Sequence, residues 1–266
     1  MDFLKAIILG IVQGITEWLP ISSTAHLLIF DDLLKMSGSD SFKSLFMVVV
    51  QLGSILAVVC LYFNRLWPFK RDREESIKSL SLWAHVIVSA IPAAIVGFIL
   101  DDFMDEYFNV WYVIAIALAL YGVLYIVLEK KAHIKVKYDT VESVSYKKAF
   151  ELGLFQALAI IPGTSRSGST ILGGIALGLS REVAAVYSFF MAIPVMAGAS
   201  LLRFIKYASD VSGSEWALLG VATLVSFAVS LAVIKGLVKY VREHDFSAFG
   251  IYRIALAIVL LIINLA

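Results

Sequence analysis

Three ionisable side chains stand inside long apolar stretches of this sequence: Glu17, His26 and Arg166. Each is expensive to place in hydrocarbon, so each must face a cavity, pair with another group, or both. Hydroxyls surround them. Ser22, Ser23 and Thr24 follow Pro20, and Ser165, Ser167, Ser169 and Thr170 flank Arg166 after Pro162-Gly163. A helix that starts after such a break offers free N–H groups and the positive end of its dipole, which attract anions. Arg166 adds a permanent cation whose planar fork suits phosphate. Two helix starts, an arginine and several hydroxyls make a site for phosphate or diphosphate rather than for a carboxylate. For either run taken singly, the plainer reading is that Ser and Thr cap broken helices, and it stays open.

Glu17 turns an anion site into a candidate reaction site. A pure phosphate receptor would avoid a carboxylate, so Glu17 points to general acid–base work or to bridging a metal ion. His26 can shuttle protons near neutral pH. Ser23, six residues after Glu17 and three before His26, is a candidate nucleophile with a base on either side. Ser23 attacks phosphorus in one route; in the other the same base activates water and Ser23 only positions phosphate. The first is preferred. An ion pair between Glu17 and Arg166 that merely joins the two segments is the bland alternative. Gln13, four residues before Glu17, shares its helix face. Gln156 stands in the same place in the second segment, and Gln51 lines the cavity or bonds a neighbouring helix.

The elements that must position these groups belong in a membrane. Apolar residues make up 60% of the 266 residues and charged ones 16%, against about 45–50% and about 25% in soluble domains. The balance of 22 basic and 21 acidic residues leaves no footprint for nucleic acid. The lone cysteine, Cys60, excludes an internal disulfide and reads as a small core residue. The apolar N-terminus carries Gln13 and Glu17 and lacks a small-residue cleavage site, so it is not expected to be a removed signal peptide. Stretches 45–63, 83–100, 110–128, 183–202, 216–238 and 249–265 are each about long enough to cross a bilayer. Residues 2–35 and 149–180 are instead broken by Pro20 and by Pro162-Gly163, the pattern of re-entrant hairpins.

The two broken segments resemble each other. Gly-x-x-Gln opens both and Pro followed by Ser/Thr closes both, with Gln13 and Gln156 143 residues apart. Each half then holds one hairpin and three spans, and an odd number of crossings inverts the second half. The expected fold is an all-α polytopic membrane protein with an inverted-topology repeat, six transmembrane helices and two broken re-entrant helical hairpins. Residues 1–130 form the first repeat, 131–148 a cytoplasmic linker and 149–266 the second repeat. Loops 64–82 and 129–148 are rich in Lys and Arg, whereas 101–109 holds Asp101, Asp102, Asp105 and Glu106 and no basic residue. The first two loops are therefore expected inside, and the third loop and both termini outside.

EWLPISSTAH (Glu17–His26) and PGTSRSGST (Pro162–Thr170) resemble the paired signatures of the undecaprenyl-diphosphate phosphatase, or bacitracin-resistance, family. QLGSILAV at 51–58 and FGIYRIALA near the C-terminus are also similar, so the resemblance runs through essentially the whole chain. It implies hydrolysis of a lipid carrier's diphosphate to the monophosphate and inorganic phosphate, which recycles the carrier for peptidoglycan synthesis and confers bacitracin resistance. It implies acid–base roles for Glu17 and His26, a nucleophilic or phosphate-binding role for Ser23, a phosphate contact at Thr24 and a clamp at Arg166. Ser22, Ser165, Ser167 and Thr170 complete the implied phosphate site. The implied setting is the bacterial plasma (inner) membrane, with the site facing outward. Gln13 stands where many members carry a second Glu. The sequence shows no closed ligand cluster, so Mg²⁺ or Ca²⁺ would be held partly through substrate phosphates, with Glu17 as the protein ligand on offer. A homodimer stays open. So does a rival class, a secondary transporter or flippase for an anionic lipid, because inverted repeats and broken helices mark that class too.

Overall fold

The computed structural model of the chain describes residues 1–130 and 135–265. Lys131 and His133, and the side chains of Asp101, Asp102 and Asp105, lie outside the described residues. Eleven α-helices account for most of what is described: α1 (Asp2–Thr16), α2 (Ser23–Leu34), α3 (Asp40–Leu61), α4 (Phe63–Leu66), α5 (Arg73–Tyr107), α6 (Trp111–Lys130), α7 (Tyr146–Ala157), α8 (Arg166–Ala176), α9 (Arg181–Tyr207), α10 (Gly213–Glu243) and α11 (Ser247–Leu265). There is no β-strand among the described residues, only one isolated bridge between Tyr138 and Leu179. Six helices, α3, α5, α6, α9, α10 and α11, are long and apolar enough to cross a membrane. Their outer faces carry exposed Phe98, Ile116, Ile205, Leu224 and Ile262. A soluble surface would not present so many large apolar side chains, whereas lipid accepts them. The chain is a multi-pass membrane protein.

Several helices outrun the apolar spans. The expected span 83–100 lies within α5, which runs from Arg73 to Tyr107. Asp72 starts it by accepting from Glu74 N at 2.8 Å, and Glu74 pairs with Lys78 one turn on at 2.7 Å. Most of the basic loop 64–82 is thus helix, in α4 and α5, as is most of the acidic segment 101–109. Cys60 is exposed on α3 rather than packed in the core.

The two broken segments are not isolated hairpins. The first arm of one, α1, packs against α10; the first arm of the other, α7, packs against α5. Both contacts depend on a glycine. A Cβ at Gly10 would lie 2.6 Å from Ala222 O, and one at Gly153 would lie 2.5 Å from Ser89 O. Small residues let membrane helices approach this closely. Serines then bond across the seam: Ser54 Oγ lies 2.8 Å from Ser226 Oγ and 3.1 Å from Ser230 Oγ, joining α3 to α10. α6 and α11 cross with Gly122 facing Gly250. From the linker, residues 137 and 138 dock on the turn after α8, with Lys137 N and Tyr138 N donating to Gly178 O.

Candidate active site

α1 ends at Thr16, whose hydroxyl turns back to Val12 O at 2.7 Å. Residues 17–22 then reverse the chain, and α2 starts at Ser23. Ser22 sits at φ 74° and caps α2 by accepting from Ala25 N. The second break repeats this device: Ser165 sits at φ 69° and caps α8 by accepting from Gly168 N at 3.1 Å. Non-glycine residues in that region cost of order 1–3 kcal/mol each, so the surroundings must hold them there. Gly163 has φ 87°, and a Cβ on it would meet Ile114 O at 2.6 Å, so this corner admits only glycine.

The breaks meet at Glu17. Its carboxylate is buried and accepts three hydrogen bonds: from Gln13 Nε2 at 2.9 Å, from Ser23 Oγ at 2.9 Å and from Arg166 Nη2 at 2.8 Å. Arg166 also donates from Nη1 to Ser188 O at 2.8 Å and to Ser188 Oγ at 3.2 Å, and its guanidinium lies 5.4 Å from the Trp18 ring centroid. Arg166 Nε is buried and has no protein partner among the described residues. Ser23, Glu17 and Arg166 are thus one connected unit across two segments 149 residues apart in sequence.

The other expected residues divide by role. Ser167 Oγ lies 3.0 Å from Glu17 O and 3.1 Å from Leu19 O, sharing its one hydrogen between the two carbonyls of the first break. Thr170 bonds Arg166 O at 2.9 Å and Ser188 Oγ at 2.6 Å, supporting the arginine from behind. Ser22 and Ser165 cap. Expected as phosphate ligands, these four hydroxyls are engaged within the protein. Thr24 and Gln51 line a cavity of about 400 Å³, with Leu27, Leu28 and Phe46 on its walls and Asp31, Lys43 and Arg203 also lining it. Gln156 is buried, its amide has no partner among the described residues, and it makes no bond to the Glu17 cluster. His26 does not hydrogen-bond Ser23 or Glu17. Its Nδ1 lies 2.7 Å from Ser22 O and its Nε2 lies 2.7 Å from Tyr252 Oη.

Three contributors were not anticipated. Arg253 is fully buried and reaches both breaks, donating to Pro20 O at 3.1 Å and to Gly163 O and Thr164 O at 2.9 Å each. An arginine within the span 249–265 was itself a signal, because a charge there demands partners. Tyr252 precedes it. Ser188, in an apolar helix, carries no such signal. As for a divalent cation, the described residues hold no group of three His, Cys, Asp or Glu that could bind one. Both Glu17 oxygens are occupied by donors, so the residues present do not by themselves make a cation site.

A second cavity, of about 480 Å³, is lined by Glu129, Arg181, Glu182 and Arg242. It lies at the start of α9, whereas Arg203 of the first cavity lies near that helix's end. Its arginines are already paired, Arg181 with Glu129 and Arg242 with Glu182, each at 2.6 Å.

A multi-pass helical protein that sets a serine and an arginine on one buried carboxylate where two broken helices meet belongs with membrane enzymes that act on anionic groups. The chain is a member of the family described as bacitracin resistance protein BacA, whose model matches residues 6–259. Its relatives include undecaprenyl-diphosphatase 1 of Clostridioides difficile strain 630, 49% identical over 98% of this chain and 96% of the relative. The undecaprenyl-diphosphatase of Streptococcus mutans is 50% identical over 99% of this chain and 96% of the relative. That of Enterococcus faecalis is 46% identical over 99% of this chain and 98% of the relative.

Proposed function

We propose that this chain is an integral membrane phosphatase that hydrolyses undecaprenyl diphosphate to undecaprenyl phosphate and inorganic phosphate. The observation that carries the reading is the Glu17 carboxylate, shared between Ser23 Oγ at 2.9 Å and Arg166 Nη2 at 2.8 Å. A hydroxyl donating to a buried base beside a cation is an activated nucleophile. Near-full-length relatives named undecaprenyl-diphosphatase supply the substrate.

In this mechanism the terminal phosphoryl group lies against the starts of α2 and α8, where N–H groups and Arg166 neutralise its charge. Ser23 Oγ attacks phosphorus and passes its proton to Glu17, and the bond to the bridging oxygen breaks, releasing the lipid monophosphate. Water then attacks the phosphoserine. The water's proton ends on neutral His26, and Glu17 returns its own to Ser23 as phosphate leaves. Positioning and charge stabilisation supply most of the acceleration in such transfers. The rival transporter class needs the cation but not the Ser23–Glu17 contact.

The same reading gives an inverted repeat, residues 1–130 against 149–266, in the bacterial plasma membrane with the site opening outward. Its supports are the matching φ-positive serine caps at Ser22 and Ser165, and the exchange of partners in which α1 packs on α10 and α7 on α5. Arg203, on the wall of the 400 Å³ cavity, lies at the end of α9 that charge counting places outside. The test is purified protein in lipid vesicles with undecaprenyl diphosphate. Phosphate and the lipid monophosphate should appear in equal amounts. Movement of the lipid across the bilayer without phosphate release would overturn the reading in favour of a transporter.

A further inference from the structure

α11 sends two successive side chains to the site from the far end of the sequence. Arg253 ties the carbonyls of the two breaks, and Tyr252 meets His26. The His26 geometry fixes its protons. Ser22 O, 2.7 Å from Nδ1, can only accept, so Nδ1 carries a hydrogen in every state of the ring. In the neutral ring Nε2 is therefore the lone-pair nitrogen, and the partner 2.7 Å away, Tyr252 Oη, must donate to it. When Nε2 gains a proton, the same hydroxyl turns and accepts. A carboxylate could serve only the protonated ring, and an amide N–H only the neutral one. A hydroxyl serves both without any movement of the imidazole.

We infer that Tyr252 hands on a proton in the phosphatase reaction: its hydroxyl gives its own hydrogen to His26 Nε2 as it takes one from the attacking water, and it then accepts from the new Nε2–H. This rests on the phosphatase reading above. The two contacts act together. Ser22 O, from the strained cap beside Ser23, holds one edge of the ring, and Tyr252, 226 residues away, holds the other. The rings lie nearly parallel, 8° between planes with centroids 5.6 Å apart. Replacing Tyr252 with phenylalanine keeps that packing and removes only the hydroxyl.

The test is a kinetic comparison of wild type, Tyr252→Phe, His26→Ala and the double variant, each purified and checked for folding by thermal melting in detergent. With undecaprenyl diphosphate as substrate, Tyr252→Phe should lose about tenfold in kcat with KM within twofold of wild type, because substrate binding does not use the hydroxyl. In the His26→Ala background the same substitution should cost nothing further. An equal loss in both backgrounds, a change in KM alone, or wild-type kinetics in Tyr252→Phe would overturn the inference while leaving the phosphatase reading intact. If His26→Ala falls below detection, the kcat and KM of Tyr252→Phe decide by themselves. A wild-type protein that releases no phosphate would remove both readings at once.

Discussion

Arg166 makes a sharp test at the scale of single residues. Its fork divides its donors between Glu17 and Ser188. Lysine keeps the charge and loses the fork. Arg166→Lys should lower kcat/KM at least about tenfold, equivalent to about 1.4 kcal/mol of transition-state stabilisation, and steady-state phosphate release measures it. Ser23→Ala should lose several orders of magnitude, and rapid-quench mass spectrometry of wild type should find phosphate on Ser23 during turnover. Retention of a percent or more of the rate, with no phosphoserine, would favour the water route. Glu17, Ser23, His26 and Arg166 were legible in the sequence because titratable and hydroxyl groups in apolar stretches need a reason to be there. The division of labour was not. A serine that ties a loop and one that donates to a carboxylate have the same side chain, and only the packed structure shows Ser167 and Thr170 bonded to backbone and to Ser188, and Ser23 bonded to Glu17. His26 was expected beside Ser23, three residues apart in sequence; its partner is instead Tyr252, which no local spacing could indicate.

The elements of this protein are positioned by close backbone contacts, and these are where stability should be most sensitive. Gly163 combines a φ of 87° with a backbone oxygen 2.6 Å from where a Cβ would stand. Gly163→Ala should destabilise the protein by about 1–3 kcal/mol, the cost of a strained backbone, and should displace the second break from Arg253. A lowered melting temperature in detergent together with reduced phosphate release checks this, and a wild-type melting curve would contradict it. The hairpin breaks were readable from Pro20 and Pro162-Gly163 because proline and glycine interrupt helices for known steric reasons. Helix ends were less readable. Hydropathy marks where lipid contact ends rather than where hydrogen bonding ends, so α5 continues through charged sequence at both ends, from Arg73 to Tyr107.

Across the whole molecule, both halves contribute to one site: Glu17 and Ser23 come from the first, Arg166, Ser188 and Arg253 from the second. The proposed orientation places the segment 135–148 inside and the C-terminus outside. An alkaline-phosphatase fusion after Leu265 should therefore be active and one within 139–142 inactive; the reverse pattern would turn the site to face the cytoplasm. Paired motifs in the sequence suggested the proposed half-chain repeat, but the packing of α1 on α10 and of α7 on α5 depends on close approach at Gly10 and Gly153 and needed the structure. The central claim is that Glu17 activates Ser23 for attack on a lipid diphosphate. Glu17→Gln retains the size and one acceptor of the side chain but cannot take a proton. Phosphate release from undecaprenyl diphosphate by this variant, compared with wild type, is the most direct measurement. The account predicts a fall in kcat of at least about a hundredfold, the low end of what a positioned general base contributes. A correctly folded Glu17→Gln protein that turns over within a few fold of wild type would contradict it.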